Sequence, residues 1–173
     1  MAGLFWRFCM YSFLGYLLER LYAAATRSPR QVRKGFLLLP LCPVYGLGMA
    51  GILALPSWVL ARPLLLFPLS MALATAAEYV TGLFYEKAAR VRFWDYSQLP
   101  LQIQGLVCLP FSLAWGLLAL GVVYGLHPYV AALVQAIPLY CLPPVLLLLL
   151  GDSAFSLALL RRAGRTDVLR WYA

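Results

Sequence analysis

The chain has 173 residues, 64% of them hydrophobic and 12% charged, with fourteen Lys and Arg against six Asp and Glu and a formal net charge of +8. An ordinary soluble domain is about 45–50% apolar and about 25% charged, and a fold of this length has too little interior to hide so much apolar surface. A soluble globular domain is thereby excluded, and an integral membrane protein is left.

A membrane-crossing helix needs about 20 mostly apolar residues. The first such stretch covers residues 4–25 and is interrupted by Arg7, Glu19 and Arg20. It is too long and too interrupted for a cleaved leader, and no small-residue cleavage site follows it. A second span is predicted over 39–60, where Gly46, Gly48 and Gly51 offer positions for close helix packing. The third covers 64–86 and carries Glu78, and the fourth covers 105–126. After a turn expected at His127-Pro128 the apolar run continues to Leu160, but Pro138, Pro143 and Pro144 interrupt it, because proline lacks a donor and its ring clashes with the preceding turn. This predicts a short helix at the outer surface over 129–136, a fifth span over 139–160 and a basic tail over 161–173. The expected fold is all-α: a polytopic bundle of about five transmembrane helices forming one domain over 1–173.

Eleven of the fourteen basic residues fall in three groups, each following an odd-numbered span: Arg27, Arg30, Arg33 and Lys34; Lys87, Arg90 and Arg92; Arg161, Arg162, Arg165 and Arg170. Cytoplasmic loops carry such an excess, so the amino terminus is expected outside and the carboxyl terminus in the cytoplasm. The same placement argues against nucleic acid as the partner of the positive charge; the partner is the lipid bilayer. Cys9, Cys42, Cys108 and Cys141 lie singly in separate apolar segments and His127 is the one histidine, so neither a metal nor a cofactor is expected.

An internal repeat is legible. Residues 35–40 (GFLLLP) align without gaps on 105–110 (GLVCLP), and Tyr45-Gly46-Leu47 aligns on Trp115-Gly116-Leu117. Upstream, GYLLER (15–20) is similar to GLFYEK (82–87). Spans one and two would then duplicate spans three and four in parallel, an arrangement whose interface often holds a transporter's site. Chance similarity between leucine-rich helices is the competing reading. The register is open as well: residue identity pairs Glu19 with Glu86, whereas depth pairs Glu19 with Glu78. The glycine and proline of 35–40 and 105–110 read as loop-to-helix transitions in preference to broken helices.

Glu19, Glu78 and Asp152 are the acids placed within hydrocarbon. At about 1.5 Å rise per residue, Glu19 lies roughly 12 Å from Arg27 and Glu78 roughly 13 Å from Lys87, and Asp152 falls near the same depth. Such groups face the bundle interior or a watery cavity, since an acid at a helix centre is costly in lipid. Gly15 and Gly82 each precede a glutamate by one turn, and Tyr11, Tyr16, Tyr79 and Tyr85 offer hydroxyls. Glu19, Glu78, Asp152, Tyr11, Tyr79, Gly15 and Gly82 thus form the candidate site for a small or cationic substrate. Beside it stands a structural reading, in which Glu19 pairs with Arg92 or Arg162 and locks the bundle. No nucleophile, base and metal ligand occur together, so an enzyme is not expected.

The hydrophilic island over 89–105 is read as a cytoplasmic loop. Phe93, Trp94 and Tyr96 are expected at the headgroups, with Asp95 either accepting backbone amides in an Asx turn or pairing with Arg92. The segments YSFLGYLLE, RKGFLLLPLCPVYGLG, EYVTGLFYEK, FWDYS and GLVCLPFSLAWG occur here in an order that resembles the bacterial CmpB-like membrane protein family, described as putative ABC-transporter type IV. The signature positions of that resemblance are Glu19, Gly35, Pro40, Gly46, Glu78, Gly82, Glu86, Trp94, Asp95, Tyr96 and Gly105. It implies a permease of the bacterial cytoplasmic (inner) membrane. The sequence has no GxxxxGK[ST] phosphate loop, so such a permease would work with separate ATPase subunits, alone or as a homodimer. Glu86, Arg92, Trp94, Asp95 and Tyr96, with the segment 161–170, would form its cytoplasmic docking face.

The charge bias gives a direct test of orientation. In a cysteine-free background, Ser57→Cys should react with an impermeant thiol reagent on intact cells and Ser97→Cys should not. Labelling of position 97 from outside would reverse the topology.

Overall fold

The computed structural model describes residues 2–26 and 36–169. The basic group Arg27, Arg30, Arg33 and Lys34, Gly35, and the last four positions with Arg170 lie outside the described residues. In chain order the helices are α1 (Ala2–Thr26), α2 (Pro43–Leu53), α3 (Ser57–Leu60), α4 (Pro63–Ala89), α5 (Leu109–Gly121), α6 (His127–Gln135) and α7 (Leu142–Ala163). A π-helical turn, Val122–Leu126, joins α5 to α6 without a break, and 3-10 turns flank α7 at Leu139–Cys141 and Thr166–Leu169. The only extended structure among the described residues is a pair of two-residue strands, β1 (Gln102–Ile103) and β2 (Val107–Cys108), pairing antiparallel. The chain is an all-α helical membrane bundle.

Among the described residues, three helical stretches are long and apolar enough to cross a membrane: Pro63–Ala89, Leu109–Gln135 and Leu139–Ala163. Helix α1 is 25 residues long but is diluted by Arg7, Glu19 and Arg20. The segment 39–60 differs most from expectation. Its helix α2 has 11 residues, about 16 Å, roughly half of a ~30 Å hydrocarbon layer. Proline sets both limits: Pro43 lies in the first turn, where its missing donor is not needed, and Pro56 starts the separate α3 after disfavouring helix at the residue before it.

The expected turn at His127-Pro128 is absent, since the helix runs on to Gln135. The π turn over Val122–Leu126 widens the backbone just where the Pro128 ring would otherwise strike a carbonyl one turn earlier. Pro143 and Pro144 start α7 instead of breaking it, being in its first turn. Residues 105–108 belong to the hairpin, so α5 begins at Leu109. The tail expected over 161–173 is folded as far as it is described: α7 reaches Ala163, and Leu169 is 1% exposed in the inner core.

Helix α1 packs on α2, α2 on α4, and α4 on α5; α6 returns to α1, and α7 leans on α4. Two buried clusters lie at different levels along the helices. One gathers Tyr11, Met49, Ile52, Leu66, Val123 and Val130; the other gathers Tyr16, Phe36, Tyr85, Val91, Leu160 and Leu169. Leu64, Leu147, Leu148 and Phe155 are exposed, as suits a surface solvated by lipid tails.

Small residues make the two main seams. A Cβ on Gly46 would stand 2.6 Å from both the ring and the backbone oxygen of Phe8. On Gly116 it would stand 2.8 Å from the Phe67 ring and 3.2 Å from Met71. A ring can turn aside, but a helix carbonyl cannot. Gly46→Ala should therefore cost about 1–3 kcal/mol, the range for overpacking, and Gly116→Ala less. Gly121→Ala, with nothing within 4 Å of its Cβ, should be neutral. Melting in detergent ranks the three, and equal melting of the Gly46 and Gly121 variants would refute the tight α1–α2 seam.

Candidate functional site

Helices α1, α2, α4 and α5 surround a cavity of 370 Å³, which Glu19 and Glu78 both line. That volume is within the common range for ligand pockets, about 300–1,000 Å³. The two carboxylates are 7% and 5% exposed, so hydrogen bonds must stand in for water around them. Tyr45 on α2 donates its hydroxyl to Glu19 Oε1 at 2.5 Å. Trp115 on α5 donates its indole N–H to Glu78 Oε2 at 3.1 Å, and Tyr96 from the island donates to Glu78 Oε1 at 3.0 Å. The Tyr45 and Trp115 rings meet edge to face, with centroids 5.6 Å apart and planes at 90°. The two acid–aromatic pairs therefore form one unit across the bundle.

Gly15 lines the cavity and leaves room for the Tyr45 ring, with which any Cβ there would collide. Gly82 instead sits beneath Leu106 and Trp94, whose atoms would be 2.9 and 3.1 Å from a Cβ. Tyr11 lines the far end of the cavity and shares a 2.7 Å hydrogen bond with His127 Nδ1. Closer to the glutamates, Thr75 Oγ1 donates to Ser112 Oγ at 2.8 Å, tying α4 to α5.

Besides Gly82, two further expected members lie outside the cavity lining. Tyr79 directs its hydroxyl outward to Gln104 Oε1 at 3.2 Å. Asp152 accepts from the Leu39 amide at 3.2 Å, while Ser156 one turn on accepts from the Leu38 amide at 3.0 Å. Asp152 and Ser156 thus fasten the bend at 36–40 to α7, and Asp152 borders a separate hollow lined by Leu38, Leu39, Leu147 and Phe155. The residues that sequence reasoning left out are Tyr45 and Trp115, the two aromatics that hold the glutamates. Their alignment as Tyr45-Gly46 on Trp115-Gly116 was the available signal.

The island folds inward as a plug. Arg90 closes α4 in the left-handed conformation, φ 56°. Arg92 binds Glu86 Oε1 through Nε and Nη2 at 2.8 and 2.6 Å, so it serves the island and not Glu19. Trp94 donates its indole N–H to the Leu106 carbonyl at 2.7 Å and presents its ring to the cavity. Tyr96 is 4% exposed and reaches Glu78, a buried position in place of the headgroup layer. Arg92, Glu86 and Asp95 keep their side chains partly exposed, at 41%, 32% and 54%. Asp95 makes the Asx turn, accepting from the Ser97 amide at 2.9 Å, and lies 4.0 Å from Arg92 Nη1. Gly105 is required opposite it: its φ is +70°, and a Cβ there would stand 2.6 Å from Asp95 Oδ1. No group of three or more His, Cys, Asp or Glu among the described residues could hold a metal ion.

The Ser97 amide, the Ser97 hydroxyl and the nearby Arg92 hold the Asp95 carboxyl below its ordinary pKa. A depressed folded-state value means that the ionised form favours the folded loop. Protection of the 92–105 backbone against hydrogen exchange should be full above the unfolded carboxylate pKa, about 3.9, and decline as pH falls through the lower folded value. Asp95→Asn should remove this acid-side dependence; an identical pH profile in the variant would show that Asp95 does not order the loop.

Residues 6–157 match the protein family described as Putative ABC-transporter type IV, while no curated protein and no solved structure matches the chain. The match spans both carboxylates, their aromatic partners and the island. The chain belongs to the family described as Putative ABC-transporter type IV.

Proposed function

We propose that the protein is the membrane subunit of an ABC-type transporter, and that Glu19 and Glu78, with Tyr45 and Trp115, form an intramembrane site for an organic cation. The observation that carries this reading is the cavity itself: two buried carboxylates from separate helices face one space walled by aromatic rings, with Phe93 and Trp94 beside them. A carboxylate has about four lone-pair positions, more than the bonds from Tyr45 to Glu19, or from Trp115 and Tyr96 to Glu78, occupy. Aromatic faces add attraction for ammonium groups. Such a subunit lies in the bacterial cytoplasmic membrane with its amino terminus outside, and works with separate ATPase subunits, alone or as a homodimer. The exposed charges of Glu86, Arg92, Asp95, Arg161, Arg162 and Arg165 at the cytoplasmic end supply the docking surface. The protein is a binder and carrier, not an enzyme.

The packing also supports an internal duplication with Glu19 paired to Glu78. Gly46 packs on Phe8 and Ser12, and Gly116 on Phe67 and Met71. Phe8, Ser12 and Glu19 each precede Phe67, Met71 and Glu78 by 59 positions, and Tyr45-Gly46 precedes Trp115-Gly116 by 70. One set of contacts therefore occurs twice.

A second reading has its own support. The bonds from Tyr45, Trp115 and Tyr96 tie α1 to α2, and α4 to α5 and the island, as structural locks in a non-transporting, lipid-binding or assembly protein would. Glu78→Gln separates the two, because the amide is nearly the same shape. In detergent, alkylammonium salts ranging from tetramethylammonium to dodecyltrimethylammonium are titrated against melting temperature. A ligand at 100 times its Kd stabilises by about 2.7 kcal/mol. The transport reading expects at least one salt to raise wild-type melting by several degrees, and Glu78→Gln to melt normally while losing that response. A variant that loses several kcal/mol without ligand, as when a buried charge partner is stranded, together with no salt response in wild type, would make the acids locks.

A further inference from the structure

The cavity has packed seams on three sides, and on the fourth α1 meets the continuous α5–α6 helix mainly at its α6 end, where Tyr11 bonds His127. Helices α1 and α2, α2 and α4, and α4 and α5 each pack along a seam, but α1 and α5 form no comparable one. The space between them is bordered by Leu14, Leu17, Leu18 and Leu21 of α1, facing Leu118 of α5 and Leu126 of the π turn. Leu17, Leu21 and Leu126 are 39%, 68% and 38% exposed. Among the described residues the cavity therefore reaches an exposed leucine border between α1 and the π turn.

The duplicated register explains why this side stays open. In the closed α2–α4 seam, Gly48 lies 3.9 Å from Ala74 and 4.0 Å from Ala77, and Gly51 lies 3.8 Å from Leu73, counting from their Cβ positions. The matching positions across α5 and α1 are Leu118 for Gly48, Leu18 for Ala77, Gly15 for Ala74 and Leu14 for Leu73. All four line the cavity. At two of these positions leucine therefore stands where the closed seam has a small residue, Leu118 for Gly48 and Leu18 for Ala77, while Gly15 is smaller than Ala74 and Leu14 matches Leu73; the bulk of the two leucines stands between the helices.

We propose that this cleft is a lateral portal to the bilayer, and that the ligand is a single-chain amphipathic cation, a long-chain alkylammonium, admitted from the lipid. This rests on the cation site proposed above and names its substrate class. The head lies against Glu19, Glu78 and the rings of Tyr45 and Trp115, and the chain lies between α1 and α5. Along α1 the lining extends from Leu21 back to Tyr11, and the stretch from Glu19 to Tyr11, about 12 Å, runs from the end nearer the basic loops towards the middle of the membrane. A lipid of the cytoplasmic leaflet has its head and chain in that same order. A water-soluble cation would have to cross hydrocarbon to reach the mouth, which is costly; an amphipath is already dissolved there.

The test uses the full chain in phosphatidylcholine nanodiscs, with Trp6→Phe, Trp58→Phe and Trp171→Phe leaving Trp94 and Trp115 at the cavity as fluorescent reporters. The probes are a chain-brominated alkyltrimethylammonium and a chain-brominated alkyl sulfate of equal length. The ammonium should quench saturably at a mole fraction at least tenfold below that of the sulfate. Glu19→Gln with Glu78→Gln should abolish the difference, and excess tetramethylammonium in the water should not displace the probe. Equal quenching by ammonium and sulfate would reduce the cleft to an unselective acyl groove and overturn the proposal. Displacement by tetramethylammonium would leave the cation site standing but overturn lateral access. If no cation of either length quenches or stabilises, the cation site itself fails, and the portal with it. Should the reporter variant not fold, native mass spectrometry of the unmodified protein from the same nanodiscs reads the same contrasts.

Discussion

Two ionisable carboxylates placed in a hydrocarbon solvent are the constraint around which the rest of the bundle is arranged. Lipid offers them no hydrogen bonds, so the protein must bring donors to them. Tyr45 reaches Glu19 from α2, Trp115 reaches Glu78 from α5, and Tyr96 reaches Glu78 from a loop position seven residues after the helix carrying the acid has ended. Those demands fix the helix seams. Tyr45 can approach α1 only because residue 15 is glycine, and Gly46 and Gly116 let α2 and α5 press close to the helices that bear the acids.

The island between α4 and α5 answers the same constraint from outside the hydrocarbon. Its charged members Arg92 and Asp95, with Glu86 of α4, satisfy one another and the local backbone at the surface. The aromatic members turn the other way, so that Trp94 closes the cavity and Tyr96 supplies Glu78. A short hydrophilic stretch thus does two jobs by alternating direction along its length. The left-handed backbone at Arg90, Leu101, Gln104 and Gly105 makes those reversals sterically feasible.

An arc of helices with matched contacts but one missing seam gives the molecule a direction. Where α2 meets α4 the facing residues are small and the helices close. Where α1 would meet α5, Leu118 and Leu18 take the places of Gly48 and Ala77, and a cavity remains. In water such a cleft would be a liability; in a bilayer, leucine surface costs nothing against lipid tails, so the opening can persist and serve as a route. The symmetry we propose for the halves is thus broken by side-chain volume and not by topology.

Composition alone determined that the chain is a helical membrane protein, because 64% hydrophobic residues can be accommodated in no other solvent. Local rules found α1, α4 and the long helices near the carboxyl terminus, and depth counting along helices identified Glu19 and Glu78. Helix lengths were less legible: α2 is cut short by flanking prolines, while a π turn lets the helix after α5 run past Pro128. Both outcomes depend on where a missing backbone donor can be tolerated. Asp152 had the same depth and chemistry as the two glutamates, yet it binds the backbone of the 36–40 bend, since its helix packs against α4 on the outside of the arc. Periodicity gives the depth of a residue and the face of its own helix, but not which neighbour that face meets. That Tyr45, Trp115 and Tyr96 converge on the acids, and that a cavity remains among them, was decided only when helices distant in sequence packed together.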